Sequence, residues 1–265
     1  KLTARINTIL IDIPQCLTML NEQGWAVTQD SNYEDIIYIN SHRGSLEKSE
    51  AFIKGYITFM DKASMLVARL VNPQPGERIL DCCAAPGGKS MYMATLMNNV
   101  GSLMSCDIHE HKIELMNSNA DRLGASIVHT KVQDATKLPD SWNSYFDRVL
   151  VDAPCSGLGI LQKKLDMRWR KQESILSELP PLQLAILERA AMTVKEKGYL
   201  IYSTCTLNYK ENEEVVVAFL QKHKEFSIIP VADDFPLKSN SGMITTYPPT
   251  DDMDGFFMVK MQRIS

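Results

Sequence analysis

Long apolar runs are missing from this sequence. The longest, such as 215–220, fall far short of the roughly 20 residues that span a bilayer, and no charged-then-apolar leader opens the chain. A cytoplasmic protein with no membrane attachment is expected. Paired cysteines are missing too: the six (Cys16, Cys82, Cys83, Cys106, Cys155, Cys205) are scattered, and none stands in a C-x-x-C pair. That argues against a disulfide framework and against a zinc or other metal site. Most free thiols are small buried hydrophobes, so each needs a context before it is read as a nucleophile. Excess positive charge is absent as well. A net charge of −4 and a pI of about 5.8 are not the footprint of a protein that holds nucleic acid by charge alone. No internal repeat or low-complexity stretch is visible.

What is present suits a globular protein. At 265 residues, 45% hydrophobic and 23% charged, the chain can bury one substantial core and a second small one. From residue 78 onward short β-rich runs (78–82, 102–107, 127–132, 146–151, 199–202) alternate with helical stretches (88–97, 112–123, about 182–197, 212–223). This is the pattern of a mostly parallel sheet covered by helices on both faces. Short strands are expected near 226–231 and at 256–261, with the acidic tract Asp251, Asp252 and Asp254 as a solvated loop before the last.

Residues 1–59 have a different texture, with strands at 4–9, 25–28 and 36–39 and a helix at 12–23 carrying Pro14 in its first turn. This small α+β unit is too short to be robust alone and should pack on the larger domain, 60–265. The chain starts inside a strand-like pattern without an initiating Met, so a fragment or processed chain lacking an upstream piece is expected.

Three segments carry the chemistry. One is the glycine loop Asp81-Cys82-Cys83-Ala84-Ala85-Pro86-Gly87-Gly88-Lys89-Ser90, placed after the first strand of the larger sheet, where such folds touch a cofactor. Its spacing matches neither the nucleotide-triphosphate loop nor the dinucleotide fingerprint, so phosphate recognition is not its best explanation. Asp107 ends the second strand and Asp134 follows the third. A carboxylate in the first position can accept both hydroxyls of a ribose, and one in the second can meet an adenine amine. The ordered set points to S-adenosylmethionine, whose sulfonium tolerates acidic surroundings.

The other two segments, Asp152-Ala153-Pro154-Cys155-Ser156-Gly157 and Ser203-Thr204-Cys205-Thr206, each place a cysteine after an apolar strand. Carbon 5 of a pyrimidine is too weak a nucleophile to take a methyl group directly. A thiolate that adds to C6 turns the ring into an enamine, and hydrogen bonding at N3, for which Asp152 is placed, assists that addition. A second acid/base group must then remove the C5 proton. Spacing alone leaves open which thiol attacks, because a Pro-Cys turn carries the nucleophile in the corresponding DNA enzymes.

These motifs, with Glu211-Asn212-Glu213, Arg168-Trp169 and Gly55-Tyr56-Ile57-Thr58, closely resemble the RNA cytosine-C5 methyltransferases, and most of all their bacterial RsmB type (Fmu or Sun), which modifies small-subunit ribosomal RNA. The resemblance spans nearly the whole chain. It implies a class I, Rossmann-like methyltransferase fold with a mostly parallel seven-stranded sheet, and S-adenosylmethionine held by Cys83, Ala84, Ala85, Pro86, Gly87, Gly88, Lys89, Asp107, Asp134 and Asp152. It implies Cys205 as nucleophile and Cys155 as the residue that releases product, with Asp152 and Lys89 beside them. It also makes residues 1–59 an RNA-contacting subdomain. The stretch 163–171, with five cations against one anion, would ordinarily be a solvated face. The resemblance makes Lys163, Lys164, Arg168, Trp169 and Arg170 an RNA-facing surface.

Met60 stands where the family commonly has Gln, and Leu165 where Pro is usual; both departures touch RNA contacts rather than chemistry. The resemblance implies an upstream NusB-like RNA-binding domain, which the sequence in hand does not include, so weak RNA binding by this stretch alone is expected. The expectation is a monomeric RNA methyltransferase forming 5-methylcytosine in 16S rRNA. The alternatives are a transfer-RNA substrate, a silent RNA-binding ribosome-assembly factor, or DNA methylation with Cys155 as nucleophile.

Overall fold

The computed structural model describes residues 1–161 and 173–265. Its first part is a four-stranded antiparallel sheet of β1 (Leu2–Ile6), β2 (Ala26–Gln29), β3 (Ile36–Ser41) and β4 (Ile57–Phe59), in the order β2-β3-β1-β4. Helix α1 (Ile13–Glu22) starts where Asp12 accepts a hydrogen bond from Gln15 N at 2.8 Å, with Pro14 in its first turn. Cys16 and Leu20, four residues apart, put one helix face into a core shared with Trp25, Ile37 and Ile57. The short helix α2 (Glu50–Ile53) leads into β4.

Helix α3 (Lys62–Val71), capped by Asp61, carries the chain into the larger sheet. That sheet contains β5 (Arg78–Asp81), β6 (Ser102–Asp107), β7 (Val128–Val132), β8 (Phe146–Asp152), β9 (Val194–Thr204), β10 (Phe226–Ile228), β11 (Met243–Thr245) and β12 (Phe257–Arg263). The order is β10-β12-β9-β8-β5-β6-β7, with β11 added on β12. β5 to β9 run parallel, while β10, β11 and β12 pair antiparallel.

Helices α4 (Gly88–Leu96), α5 (Glu110–Leu123) and α6 (Glu173–Ala191) belong to the parallel part. α7 (Glu213–Lys222) and the short α8 (Pro248–Asp251) belong to the antiparallel end. Val149, Leu150 and Val151 are fully buried, as are Leu200, Ile201 and Tyr202 beside them, because a central parallel strand is covered on both faces. Each such side chain contributes about 1.5–3 kcal/mol by leaving water.

The chain moves outward from β5 through β6 to β7, then returns to the other side of β5 for β8 and β9. Strand order therefore reverses between β5 and β8. The carboxyl ends of these two strands open the crevice where such sheets bind ligands.

Several strands differ at their ends from the sequence expectation, the one expected at 4–9 closing at Ile6 and the one near 226–231 at Ile228, and two elements start well before their expected positions. α6 begins at Glu173 rather than near 182 and runs through Pro180 and Pro181, two residues that break isolated helices. It packs on the 3₁₀ turn Ala135–Lys137 and on α7, and tertiary packing overrides propensity there. β9 begins at Val194, so Lys197 and Gly198 lie inside a strand rather than ending a helix. Lys197 has φ 63°, and the β8–β9 register shifts between Phe146 and Arg148, the signature of a bulge.

The two sheets share a polar seam. Asn7 donates to Gly55 O and Leu123 O, both at 2.9 Å, Arg122 donates to Phe52 O at 2.8 Å, and Tyr92 donates to Asp35 at 2.8 Å. Asp35 also takes an ion pair from Arg69. Among the described residues no helix is long and apolar enough to cross a membrane.

Candidate active site

At the end of β5 the chain turns through the glycine loop. Cys82 N donates to Leu150 O at 2.9 Å and Ala84 N to Cys106 O at 2.7 Å, which ties the loop to both flanking strands. Gly87 sits at φ 97°, and a Cβ there would come within 3.1 Å of Met116, so the turn into α4 needs glycine. Behind the loop lies a buried carboxyl: Asp81 accepts from Ser90 Oγ at 2.7 Å, Ser90 accepts from Ser105 Oγ at 2.8 Å, and burial pushes Asp81 up to about 7.

The first turn of α4 aims Lys89 across the crevice. Its Nζ donates to Asp152 Oδ2 at 2.6 Å, while Ser203 Oγ donates to Oδ1 at 2.7 Å. Burial opposes the ammonium charge, but Asp152 outweighs it and holds Lys89 above the ordinary lysine value; Cys205 adds to the effect.

Cys155 and Cys205, from the turns after β8 and β9, bring their sulfurs to 3.3 Å. None of the six cysteines is in a disulfide. Burial raises Cys82 well above the usual thiol range and Cys106 to about 12, which makes both inert. Cys155 is also raised, first by its hydrogen bond to Cys205 and then by burial.

A cavity of about 350 Å³ joins these groups. Cys155, Cys205 and Asp152 stand at one end, and Asp107 and Asp134 at the other. Asp107 accepts from His109 N at 3.0 Å and lies 3.5 Å from Lys112 Nζ. Asp134 accepts from Thr136 N and Oγ1 through one oxygen, and those bonds hold its carboxyl below the usual range. Exposed Ile108 and buried Ala135 give this end apolar surface.

The structure thus brings Cys155, Cys205, Asp152 and Lys89 together. Cys83, Ala85, Asp107, Asp134 and Asp152 line the cavity. Ala84 turns instead into an apolar cluster with Ile113 and Met116, and Pro86, Gly87, Gly88 and Lys89 do not line the cavity but form the turn and helix start behind its wall. Lys163, Lys164, Arg168, Trp169 and Arg170 lie outside the described residues. Among the described residues no group of three or more His, Cys, Asp or Glu could hold a metal ion.

Sequence reasoning missed the polar frame behind the thiols. Ser156 Oγ meets Thr206 Oγ1 at 2.8 Å, Gln183 Nε2 donates to Pro154 O at 2.9 Å, and Gly159 N donates to Cys205 O at 3.0 Å. Glu211, fully buried, joins the two turns. The Glu-Asn-Glu run marked the segment; nothing in the sequence marked Gln183.

Comparison with known proteins agrees with this geometry. A family model described as 16S rRNA methyltransferase RsmB/F matches residues 68–262. The chain is 39% identical over 269 residues to the probable ribosomal RNA small subunit methyltransferase B of Bacillus subtilis (strain 168), covering 99% of this chain and 60% of that protein. It therefore spans about three fifths of the length of such curated relatives.

The crystal structure of PH0851 superposes with a TM-score of 0.92 at 32% identity, covering 98% of this chain and 59% of that one. NSun6 from Pyrococcus horikoshii, solved with SFG, gives 0.89 at 22% identity over 100% of this chain and 91% of that one, which speaks for the fold. With three quarters of its length matched by the family model and a class I methyltransferase sheet around the paired thiols, the chain belongs to the 16S rRNA methyltransferase RsmB/F family.

Proposed function

We propose that this chain is the catalytic unit of an S-adenosylmethionine-dependent methyltransferase acting on carbon 5 of a cytosine in RNA, with small-subunit ribosomal RNA as substrate. The observation that carries the reading is the pair of thiols 3.3 Å apart in a cavity whose far end presents two carboxylates.

The cavity suits the cofactor. Asp107 and Asp134, whose Oδ2 meets only the exposed Lys137 ammonium at 3.7 Å, are acceptors for ribose hydroxyls and an adenine amine, beside apolar Ile108 and Ala135. Bound there, S-adenosylmethionine supplies an electrophilic methyl group. Cys83 and Ala85 would line its place, and Ala84, Pro86, Gly87 and Gly88 would shape the loop around it.

Cys205 is the nucleophile in this reading: its sulfur bonds to C6, and the electrons of the C5–C6 double bond move toward N3. Asp152, which lines the cavity and accepts from Lys89 and Ser203, stands at the ring edge, and the Lys89 ammonium behind it supplies the positive charge that draws those electrons. Once Cys205 is a thioether it no longer holds the Cys155 hydrogen bond as a thiolate would. The principal cause of the raised Cys155 value is then removed, so Cys155 gives its own proton to water and, as a thiolate, takes the C5 proton. The carbon–sulfur bond breaks as the ring double bond re-forms. The antiparallel sheet of residues 1–59 would contact RNA beside the catalytic part, 60–265.

Incorporation of labelled methyl groups into RNA tests this. Cys205→Ala should abolish it, and retained activity would overturn the assignment of the nucleophile. Cys155→Ala should leave a covalent protein–RNA adduct, seen as a slow band on a denaturing gel; absence of the adduct would overturn the release role. Incorporation into DNA in preference to RNA would overturn the substrate class.

A further inference from the structure

Glu211 occupies a 3₁₀ turn (Tyr209–Glu211) just after the Cys205 turn and is fully buried. Its Oε2 accepts from Ser156 N at 2.8 Å and from Gln183 Nε2 at 2.9 Å, and its Oε1 accepts from Asn208 Nδ2 at 3.0 Å. Ser156 follows Cys155 directly. Asn208 belongs to the segment leaving Cys205 and donates its own N–H to Thr206 Oγ1 at 3.3 Å. One carboxylate therefore ties the backbone beside one catalytic thiol to the segment carrying the other.

All three partners are neutral N–H donors, and among the described residues no cation meets this carboxylate. A buried anion held only by neutral donors is costly to keep. A glutamine of the same shape would turn its NH₂ toward at least one donor, so this position requires acceptors on both oxygens.

We propose that Glu211 is a positioning residue that sets the separation of Cys155 and Cys205, and through it the match between attack at C6 and proton removal at C5. The proposal rests on the functional reading above for its catalytic part only. Glu211 touches neither sulfur; it acts through Ser156 N and Asn208. Losing one of its bonds lets the turns shift independently, and a displacement of about 1 Å at reacting atoms can cost on the order of a hundredfold in rate.

The test uses the full chain, with two readouts. The first is kcat and KM for S-adenosylmethionine with RNA substrate. The second needs no RNA: the rate at which a fluorogenic bis-alkylating reagent bridges two neighbouring thiols, with Cys205→Ala as the blank. Glu211→Gln should lower kcat on the order of a hundredfold with KM for S-adenosylmethionine unchanged, and should slow the bridging. Adding Asn208→Asp should restore both, because the new amide then donates to the new carboxylate, which still accepts from Lys210 N as Asn208 does.

Parent-like kcat and bridging in Glu211→Gln, or a folded double variant that recovers neither, would overturn the proposal. Should the double variant fail to fold, Gln183→Leu decides, since it removes the donor shared by Pro154 O and Glu211: slowed bridging supports the proposal, and a parent-like rate overturns it. If the parent chain methylates no RNA, the functional reading falls, while the bridging rates still decide the role of Glu211.

Discussion

Asp81 shows how a single residue couples the glycine loop to stability. Its carboxyl is fully buried and pushed up to about 7 by that burial, against an ordinary value of 3.8. The folded protein therefore keeps a proton that the unfolded chain releases from about pH 4 upward. The stabilisation linked to this proton is complete below the unfolded value and is lost as pH rises through about 7. Asp81→Asn carries no such titration. Its melting temperature relative to the parent should climb as pH is raised from about 5 to about 8, which a series of thermal melts would show; a constant difference would mean that Asp81 is ionised in the fold throughout. The same burial explains why Cys82 and Cys106, though close by, are unsuited to nucleophilic work.

Among elements, the crossing of two loops at the mouth of the thiol site is the most constrained. Gly159 N donates to Cys205 O and Gly255 N to Gly159 O, both at 3.0 Å, and a Cβ on Gly159 would lie 1.9 Å from Gly255 O. Gly159→Ala must push the loops apart, and we expect a loss of about 1–3 kcal/mol in urea unfolding together with slower methyl transfer. A variant as stable and active as the parent would show the crossing to be loose.

Why some elements were legible in the sequence and others not follows from how each is buried. The apolar triplet Val149-Leu150-Val151 announces a central strand because nothing but a two-sided cover explains it. No element was expected over 62–71, where α3 buries Ala63, Met65, Leu66, Val67, Ala68, Leu70 and Val71 and leaves Lys62, Ser64 and Arg69 half-buried. The start of α6 was hidden by Pro180 and Pro181, whose tolerance depends on distant packing. In the site, both thiols, Asp152 and the glycine loop stood out as local motifs. The part played by Glu211 did not, because its partners Ser156 and Gln183 lie 55 and 28 residues away along the chain.

At the scale of the whole molecule, the seam between the two sheets contains a buried cation. Arg5 donates to Thr95 Oγ1 at 3.1 Å and lies 5.1 Å from the Tyr92 ring centroid, yet its Nε and Nη2 have no hydrogen-bond partner among the described residues, and burial pushes it down to about 10. Replacing a poorly compensated buried charge with an apolar side chain of similar length commonly stabilises by about 1–4 kcal/mol. Arg5→Met is therefore expected to raise the midpoint of chemical unfolding, and a lowered midpoint would show that the guanidinium holds the seam together. The 3.3 Å between the sulfurs of Cys155 and Cys205 also bears on how the protein must be handled. A preparation left in air should lose turnover as the two thiols give up their hydrogens and electrons to the oxidant and become joined, and dithiothreitol should return it.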